Sequence, residues 1–160
     1  MRIIYCGKLS HNVAYAMAAI HIGLYKKELP CFNEILKQWE LCFLWGSKKG
    51  NLIYMGLDEE LREVWIIGRG NHGSMVEKVY KGIDTIYNLP NENYFIHVDT
   101  WEGLIPHMMS LLFKYPPIKN IGGRFFSCWF KRNYNKWINK VGIEKRKLAE
   151  EERTNERLGI

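Results

Sequence analysis

A polar loop between a strand-like run and a run of small apolar residues is the first place where chemistry could occur. The loop, Gly7–Asn12, reads GKLSHN and leads into VAYAMAAIHIGLY. Backbone amides at a helix start are unpaired and carry a partial positive charge, which suits an anion. We expect a phosphate or carboxylate to bind this loop and the residue before it, through Cys6, Gly7, Lys8, Ser10 and Asn12. A well-capped turn without a ligand is the alternative, and the G-x-x-x-x-G-K-[ST] spacing of nucleoside triphosphate hydrolases is missing.

A second loop, residues 68–74, also lies between a predicted strand and a predicted helix. Its sequence, GRGNHGS, contains glycines that let the backbone approach a ligand closely. The guanidinium of Arg69 can hold a phosphate or carboxylate through two parallel hydrogen bonds. We therefore predict that Arg69, Gly70 and His72 bind the ligand. A plain turn with an Arg on the surface fits the same residues.

Two residues are candidates for catalysis. His11 could donate a hydrogen bond or a proton, and Asp99 could act as a base or orient the ligand. Asp99 follows the strand-like run NYFIHV, although it could also cap the next helix. Cys6 with His11 as its base is a further alternative, but a phosphatase-like loop would have Arg where this chain has Asn12.

The remaining histidines and cysteines indicate no metal site. His21 and His97 fit packed, hydrogen-bonded core positions. The four cysteines form no Cys-x-x-Cys pair and no zinc-finger pattern, which favours a reducing compartment. The residues identify no cofactor.

The loops at 7–12, 68–74 and 99–103 each follow a strand-like run in a chain that alternates strands with helices. The predicted strands are Arg2–Gly7, Leu52–Met55, Glu63–Ile67 and Asn93–Val98. The later predicted helices are Cys31–Leu44, His72–Tyr87, Glu102–Phe113 and Phe125–Val141. This order predicts an α/β fold: a three-layer, mostly parallel sheet flanked by helices, with an inserted antiparallel hairpin and a Rossmann-like or P-loop-like topology. Such sheets bind ligands beyond the carboxyl ends of their strands, so we expect the three loops to converge.

Basic and aromatic residues alternate towards the end of the chain. Between Lys119 and Lys147 there are nine Lys or Arg residues and a single Glu. Such a segment can neutralise phosphates and stack on bases, or lie on an anionic membrane. The alternative function is a non-enzymatic nucleic-acid or protein-binding module that uses segment 124–147, with contacts from Arg124, Lys131, Arg132, Lys136 and Lys140. The spacing also fits an ordinary amphipathic helix with its aromatics in the core.

The chain is expected to form one domain, residues 1–142, followed by a charged helical tail, residues 143–160. Its longest apolar stretches, Val13–Ile22 and Leu104–Phe113, are about half the length that a bilayer span needs. No secretory signal is readable at the start. The sequence therefore predicts a cytoplasmic protein without a transmembrane segment and leaves its oligomeric state open.

Several segments, taken in order, resemble a family of small bacterial proteins known as a domain of unknown function, number 3189. They are RIIYCGKLSHNVAYAMAAIHIGL, LIYMG, EVWIIGRGNHGSMVEKV, HVDTWEGL and IGGRFFSCWFKRNYNKWINKV. The resemblance implies a bacterial cytoplasmic protein, associated with spore-forming low-GC bacteria, and supplies no activity. From the residues themselves, the leading hypothesis is a protein that binds a phosphate-bearing or other anionic small molecule, such as a nucleotide, with or without catalysis.

Overall fold

An open sheet of four strands forms the centre of the described chain. The computed structural model describes residues 1–8, 11–26, 28–45, 50–70, 73–87, 93–99 and 119–158. Its strands, in the spatial order β2-β3-β1-β4, are β1 (Arg2–Gly7), β2 (Leu52–Leu57), β3 (Glu63–Gly68) and β4 (Asn93–His97). β1 runs parallel to β3 and β4, whereas β2 runs antiparallel to β3. The α/β class is confirmed, and the expected antiparallel pair is β2 with β3.

Helices accompany the sheet on both of its faces. They are α1 (Asn12–His21), α2 (Phe32–Trp45), α3 (Gly73–Ile86) and α4 (Lys119–Leu158). The first three begin within one residue of their predicted starts, because strand ends, prolines and glycines mark those positions in the sequence. The predicted helix at Glu102–Phe113 lies outside the described residues.

β1 is buried on both faces, as its unbroken apolar run predicts. Ile3 and Tyr5 belong to the large core that α1 and α4 share with one face of the sheet. Ile4 and Cys6 point to the opposite face, where Val76 of α3 packs against them. The central strand therefore has helices above and below it.

α1 is enclosed by the sheet, α2 and α4. Its four alanines at positions 14, 16, 18 and 19 are fully buried. A helix that is apolar on all sides is typical of such an enclosed position, and small side chains let neighbouring backbones approach closely. This packing holds the start of α1 next to the carboxyl end of β1.

α4 joins the helix predicted at Phe125–Val141 and most of the expected helical tail into one continuous helix. It has 40 residues, which corresponds to about 60 Å of helix. The boundary expected at residue 142 falls inside it, and beyond that point Glu144 and Leu148 are only 5% and 0% exposed. The charged end of the chain thus contributes to the core through Leu148. In the part of the chain that the structure describes, no helix has both the length and the apolar character needed to cross a membrane.

Candidate functional site at the carboxyl-terminal edge of the sheet

The carboxyl ends of β1, β3 and β4 meet at one edge of the sheet. Backbone pairing continues one residue beyond the strands: the N–H of Arg69 donates to the carbonyl of Gly7 at 2.9 Å, and the N–H of Val98 donates to the carbonyl of Cys6 at 3.1 Å. The three loops therefore leave from adjacent strands. We call this region the carboxyl edge.

α1 and α3 leave the carboxyl edge in opposite directions. α1 follows β1 and packs on one face of the sheet, while α3 follows β3 and packs on the other face. Where the connections of adjacent parallel strands diverge in this way, a crevice opens between the two loops, and α/β proteins commonly bind ligands there.

His11, at the end of the first loop, lies against the backbone of Gly68. It is the N-cap residue of α1, it is 2% exposed, and its side chain makes no capping hydrogen bond to the helix. A Cβ atom on Gly68 would lie 2.6 Å from the Cε1 and Nε2 atoms of His11. Only glycine leaves room for the ring at this distance. The first and second loops are therefore in direct contact.

Arg69 and Asp99 join the second and third loops. The Nη2 atom of Arg69 forms an ion pair with the Oδ2 atom of Asp99, and the two side chains are 14% and 29% exposed. The Nε atom of Arg69 and the Oδ1 atom of Asp99 are buried and have no hydrogen-bond partner among the described residues. An unpaired buried donor costs roughly 1–3 kcal/mol, so an anion that accepted a hydrogen bond from Nε would be favoured.

The other predicted ligand residues are only partly described. Gly70 has φ +58°, a left-handed conformation that favours glycine. Lys8 is exposed where the first loop begins, and Asn12 is buried as the first residue of α1. Ser10 and His72 lie outside the described residues.

Cys6 lies behind the carboxyl edge, on the face that α3 covers. It is 1% exposed. Burial raises the pKa of its thiol to about 12, and the charges of Arg69 and Glu77 lower and raise that pKa to smaller extents. The thiol therefore stays protonated near neutral pH, a state in which it is a poor nucleophile. Its backbone carbonyl, bonded to Val98, is its contribution to the edge.

A pair that the sequence reasoning missed, Glu77 and His97, lies on the same face as Cys6. The Nε2 atom of His97 contacts the Oε1 atom of Glu77, and the imidazole is 45% exposed rather than packed in the core as expected. Alternation along β4 directs His97 towards α3, but only the register between β4 and β1 puts it beside Cys6. Among the described residues, no group of three or more His, Cys, Asp or Glu side chains is placed to hold a metal ion.

His21 belongs to a buried network away from the three loops. Since the Asp58 carboxylate only accepts, the Nε2–H of His21 donates to Asp58 at 3.2 Å, which leaves Nδ1 to accept from the Tyr5 hydroxyl at 2.7 Å. Arg62 pairs with the same carboxylate at 2.7 Å. The expectation that His21 is a packed, hydrogen-bonded core residue is confirmed.

The electrostatics of this network favour a neutral His21. Burial, and then the charge of Lys145, lower the pKa of His21 to about 4, although Asp58 acts in the opposite direction. Burial raises the pKa of Asp58, but the hydrogen bonds and charge of Arg62 outweigh it and leave that pKa below its usual value. Asp58 and Arg62 precede β3, at the amino-terminal edge of the sheet, so the network holds the fold together at the end opposite the candidate site.

The basic segment forms part of α4, which buries most of its aromatic side chains and exposes most of its cationic ones. Its aromatic residues at positions 126, 130, 134 and 137 are fully buried. Arg124, Lys131, Arg132 and Lys136 are exposed. Lys140 pairs with Glu144 at 2.6 Å. The basic candidates are therefore on the surface, but four of the aromatics are unable to stack on a partner's bases.

Comparison with known proteins identifies the family of the chain. No curated protein and no solved structure matches it significantly. The family described as "Protein of unknown function (DUF3189)" matches residues 2–146, a range that includes the carboxyl edge and the first part of α4. Because this match covers most of the sequence, the chain belongs to the DUF3189 family, as the resemblance in its motifs suggested.

Proposed function

We propose that the carboxyl edge binds a phosphate-bearing or other anionic small ligand, such as a nucleotide. In this proposal Arg69 and the backbone around the start of α1 hold the anion, and Lys8 adds positive charge at the beginning of the first loop. His11 donates a hydrogen bond or a proton, and Asp99 orients the ligand or acts as a base. Supporting this arrangement are the contact of His11 with Gly68 and the ion pair of Arg69 with Asp99.

The proposal depends mainly on the guanidinium of Arg69, which has only some of its hydrogen-bond donors paired. One guanidinium nitrogen pairs with Asp99, while the buried Nε has no partner among the described residues. A guanidinium can bind a phosphate through two parallel hydrogen bonds, so this group has donors to offer to a ligand. Asp99 then competes with the ligand for Arg69 and holds the guanidinium in position when the site is free.

We also propose a specific topology for the sheet and a cytoplasmic location for the protein. A three-layer, Rossmann-like or P-loop-like arrangement is supported by the two parallel pairs of β1 and by the opposite placement of α1 and α3. A cytoplasmic location is supported by the four cysteines, which are free thiols.

The test is thermal unfolding in the presence of inorganic phosphate and a panel of nucleoside mono-, di- and triphosphates. A ligand at 100 times its Kd stabilises the folded state by about 2.7 kcal/mol. We expect at least one compound to raise the Tm of the wild type and to lose that effect in Arg69→Gln. Arg153→Gln is the matched control, because Arg153 is exposed on α4 and lies outside the proposed site.

Asp99→Asn should strengthen anion binding, whereas Arg69→Gln should weaken it. Removing its charge frees Arg69 and removes repulsion of an anion, so we expect inorganic phosphate to bind several-fold more tightly, as measured by calorimetry. Equal phosphate affinity in the wild type, Arg69→Gln and Asp99→Asn would contradict the proposed site, as would the absence of any stabilising compound.

A further inference from the structure

The amino-terminal half of α4 exposes four cations that form no ion pair with a described residue. Arg124, Lys131, Arg132 and Lys136 are exposed, and no carboxylate of the described residues lies within 4.0 Å of their charged nitrogens. The sequence from position 119 to position 143 contains no Asp or Glu at all. We call these four residues the cationic face.

The rest of α4 carries acidic residues among its cations. Lys140 and Lys147 both pair with Glu144. Arg146 and Arg153 are exposed and form no ion pair with a described residue, but positions 144–156 contain five Glu and four Lys or Arg residues. The unbalanced positive charge is thus concentrated in the amino-terminal half of α4.

The cationic face is also rigidly held. Phe126, Phe130, Tyr134 and Trp137 are fully buried on the opposite side of the helix, and Phe126 stacks on Trp39 of α2. This packing fixes the rotation of α4, so its cations always point to solvent. From Arg124 to Lys136 the helix extends for about 18 Å. Spacings of four and seven residues place the four side chains in two neighbouring rows along this length.

We propose that the cationic face binds the phosphodiester backbone of nucleic acid, independently of base sequence. A fixed row of cations gains free energy by neutralising phosphates and releasing their counterions. An anionic membrane fits less well, because a helix that lies on a bilayer needs an exposed apolar side along its length. Among the described side chains of this stretch, the large apolar ones exposed beside the cations are Ile121 and Phe125, both near one end of α4. This surface is separate from the proposed anion site and does not depend on it.

The experiment measures fluorescence anisotropy of a labelled duplex of about 20 base pairs, at salt concentrations from about 50 to about 200 mM. If the four cations each contact one phosphate, the logarithm of the association constant should fall with the logarithm of the salt concentration with a slope near −3.6, about −0.9 for each contact. We expect the variant with Gln at positions 124, 131, 132 and 136 to bind at least tenfold more weakly and with a smaller slope. Gln is a good helix former, so the helix should remain intact, which circular dichroism checks.

The matched control is a variant with Gln at Lys26, Lys37, Lys78 and Lys81, which are exposed lysines outside the cationic face. It loses the same total charge, and we expect its affinity to change less than about twofold. Equal losses in the two variants would show a nonspecific effect of net charge and overturn the proposal. Absence of duplex and single-strand binding at low salt, or binding to phosphatidylserine vesicles alone, would also overturn it. Comparing duplex with single-stranded DNA and RNA of the same length identifies which backbone is preferred.

Discussion

At the scale of single residues, Gly68 is the position where the second loop makes room for the first. A methyl group there would lie 2.6 Å from the imidazole of His11. We therefore expect Gly68→Ala to displace the ring and to lower the free energy of unfolding by about 1–3 kcal/mol, as overpacked sites do. Urea unfolding measures this loss.

Gly142→Ala is the matched control for that substitution. A Cβ at Gly142 would lie more than 4 Å from the neighbouring described residues, and Gly142 is inside α4. Alanine is favoured over glycine in a helix interior, so we expect stabilisation by about 0.5–1 kcal/mol. If the two alanine variants changed stability equally, His11 would not be packed against Gly68.

His21 makes the stability of the protein depend on pH. Its pKa is about 4 in the folded protein, below its usual value of 6.5. Between these two pKa values the unfolded chain binds more protons than the folded protein. The contribution of His21 to stability is therefore fully present above pH 6.5, and it decreases as the pH falls towards 4. We expect protonation of His21 in the unfolded chain to lower the free energy of unfolding by about 2 kcal/mol between pH 7 and pH 5.

Urea unfolding of the wild type and of His21→Gln at both pH values isolates this contribution, because the two proteins share all their other ionisable groups. The expected result is a weaker pH dependence in the variant. Proton NMR of the wild type gives an independent check: the ring signals of His21 should stay constant from pH 7 to pH 5. A ring that titrates near its usual pKa would contradict the burial of His21 as a neutral side chain.

At the scale of elements, the carboxyl-terminal part of α4 is bound to the sheet by charged and polar groups. Glu144 accepts a hydrogen bond from the Tyr94 hydroxyl at 3.2 Å, and Glu152 pairs with Arg62 at 3.2 Å. Arg62 also holds Asp58, the partner of His21. The end of the helix is therefore connected to the buried network at the amino-terminal edge of the sheet.

Leu148 tests whether α4 contributes to the core beyond residue 142. Its side chain is fully buried. We expect Leu148→Ala to cost about 2–5 kcal/mol, the usual cost of removing a buried leucine side chain. Ile143→Ala is the control, because Ile143 is 41% exposed, and it should cost much less. Similar unfolding midpoints in urea for the two variants would indicate that the charged end does not pack against the domain.

At the scale of the whole molecule, local patterns predicted the elements that position the site. The apolar run before Gly7 predicted β1, and small residues at helical spacing predicted α1. The parallel topology then predicted that the loops would converge, and the structure brings Gly7, His11, Gly68, Arg69 and Asp99 to one edge.

Contacts between distant parts of the chain were beyond prediction. The pairing of Glu77 with His97 and of Arg62 with Glu152 depends on register and helix position, which composition does not determine. That the expected helical tail continues the preceding helix and packs against the domain was missed for a related reason. After residue 142 most residues are charged, so apolar residues no longer recur at helical spacing. Leu148 alone does not indicate that this part of the helix has a buried face.

The central claim is that the carboxyl edge receives an anion through Arg69. A crystal structure of the protein soaked with tungstate, a phosphate analogue visible by anomalous scattering, tests it most directly. We expect a tungstate whose oxygens lie about 2.7–3.2 Å from the guanidinium nitrogens of Arg69, next to His11 and the start of α1. Tungstate bound only elsewhere, with Arg69 still paired to Asp99, would show that Arg69 does not bind the anion.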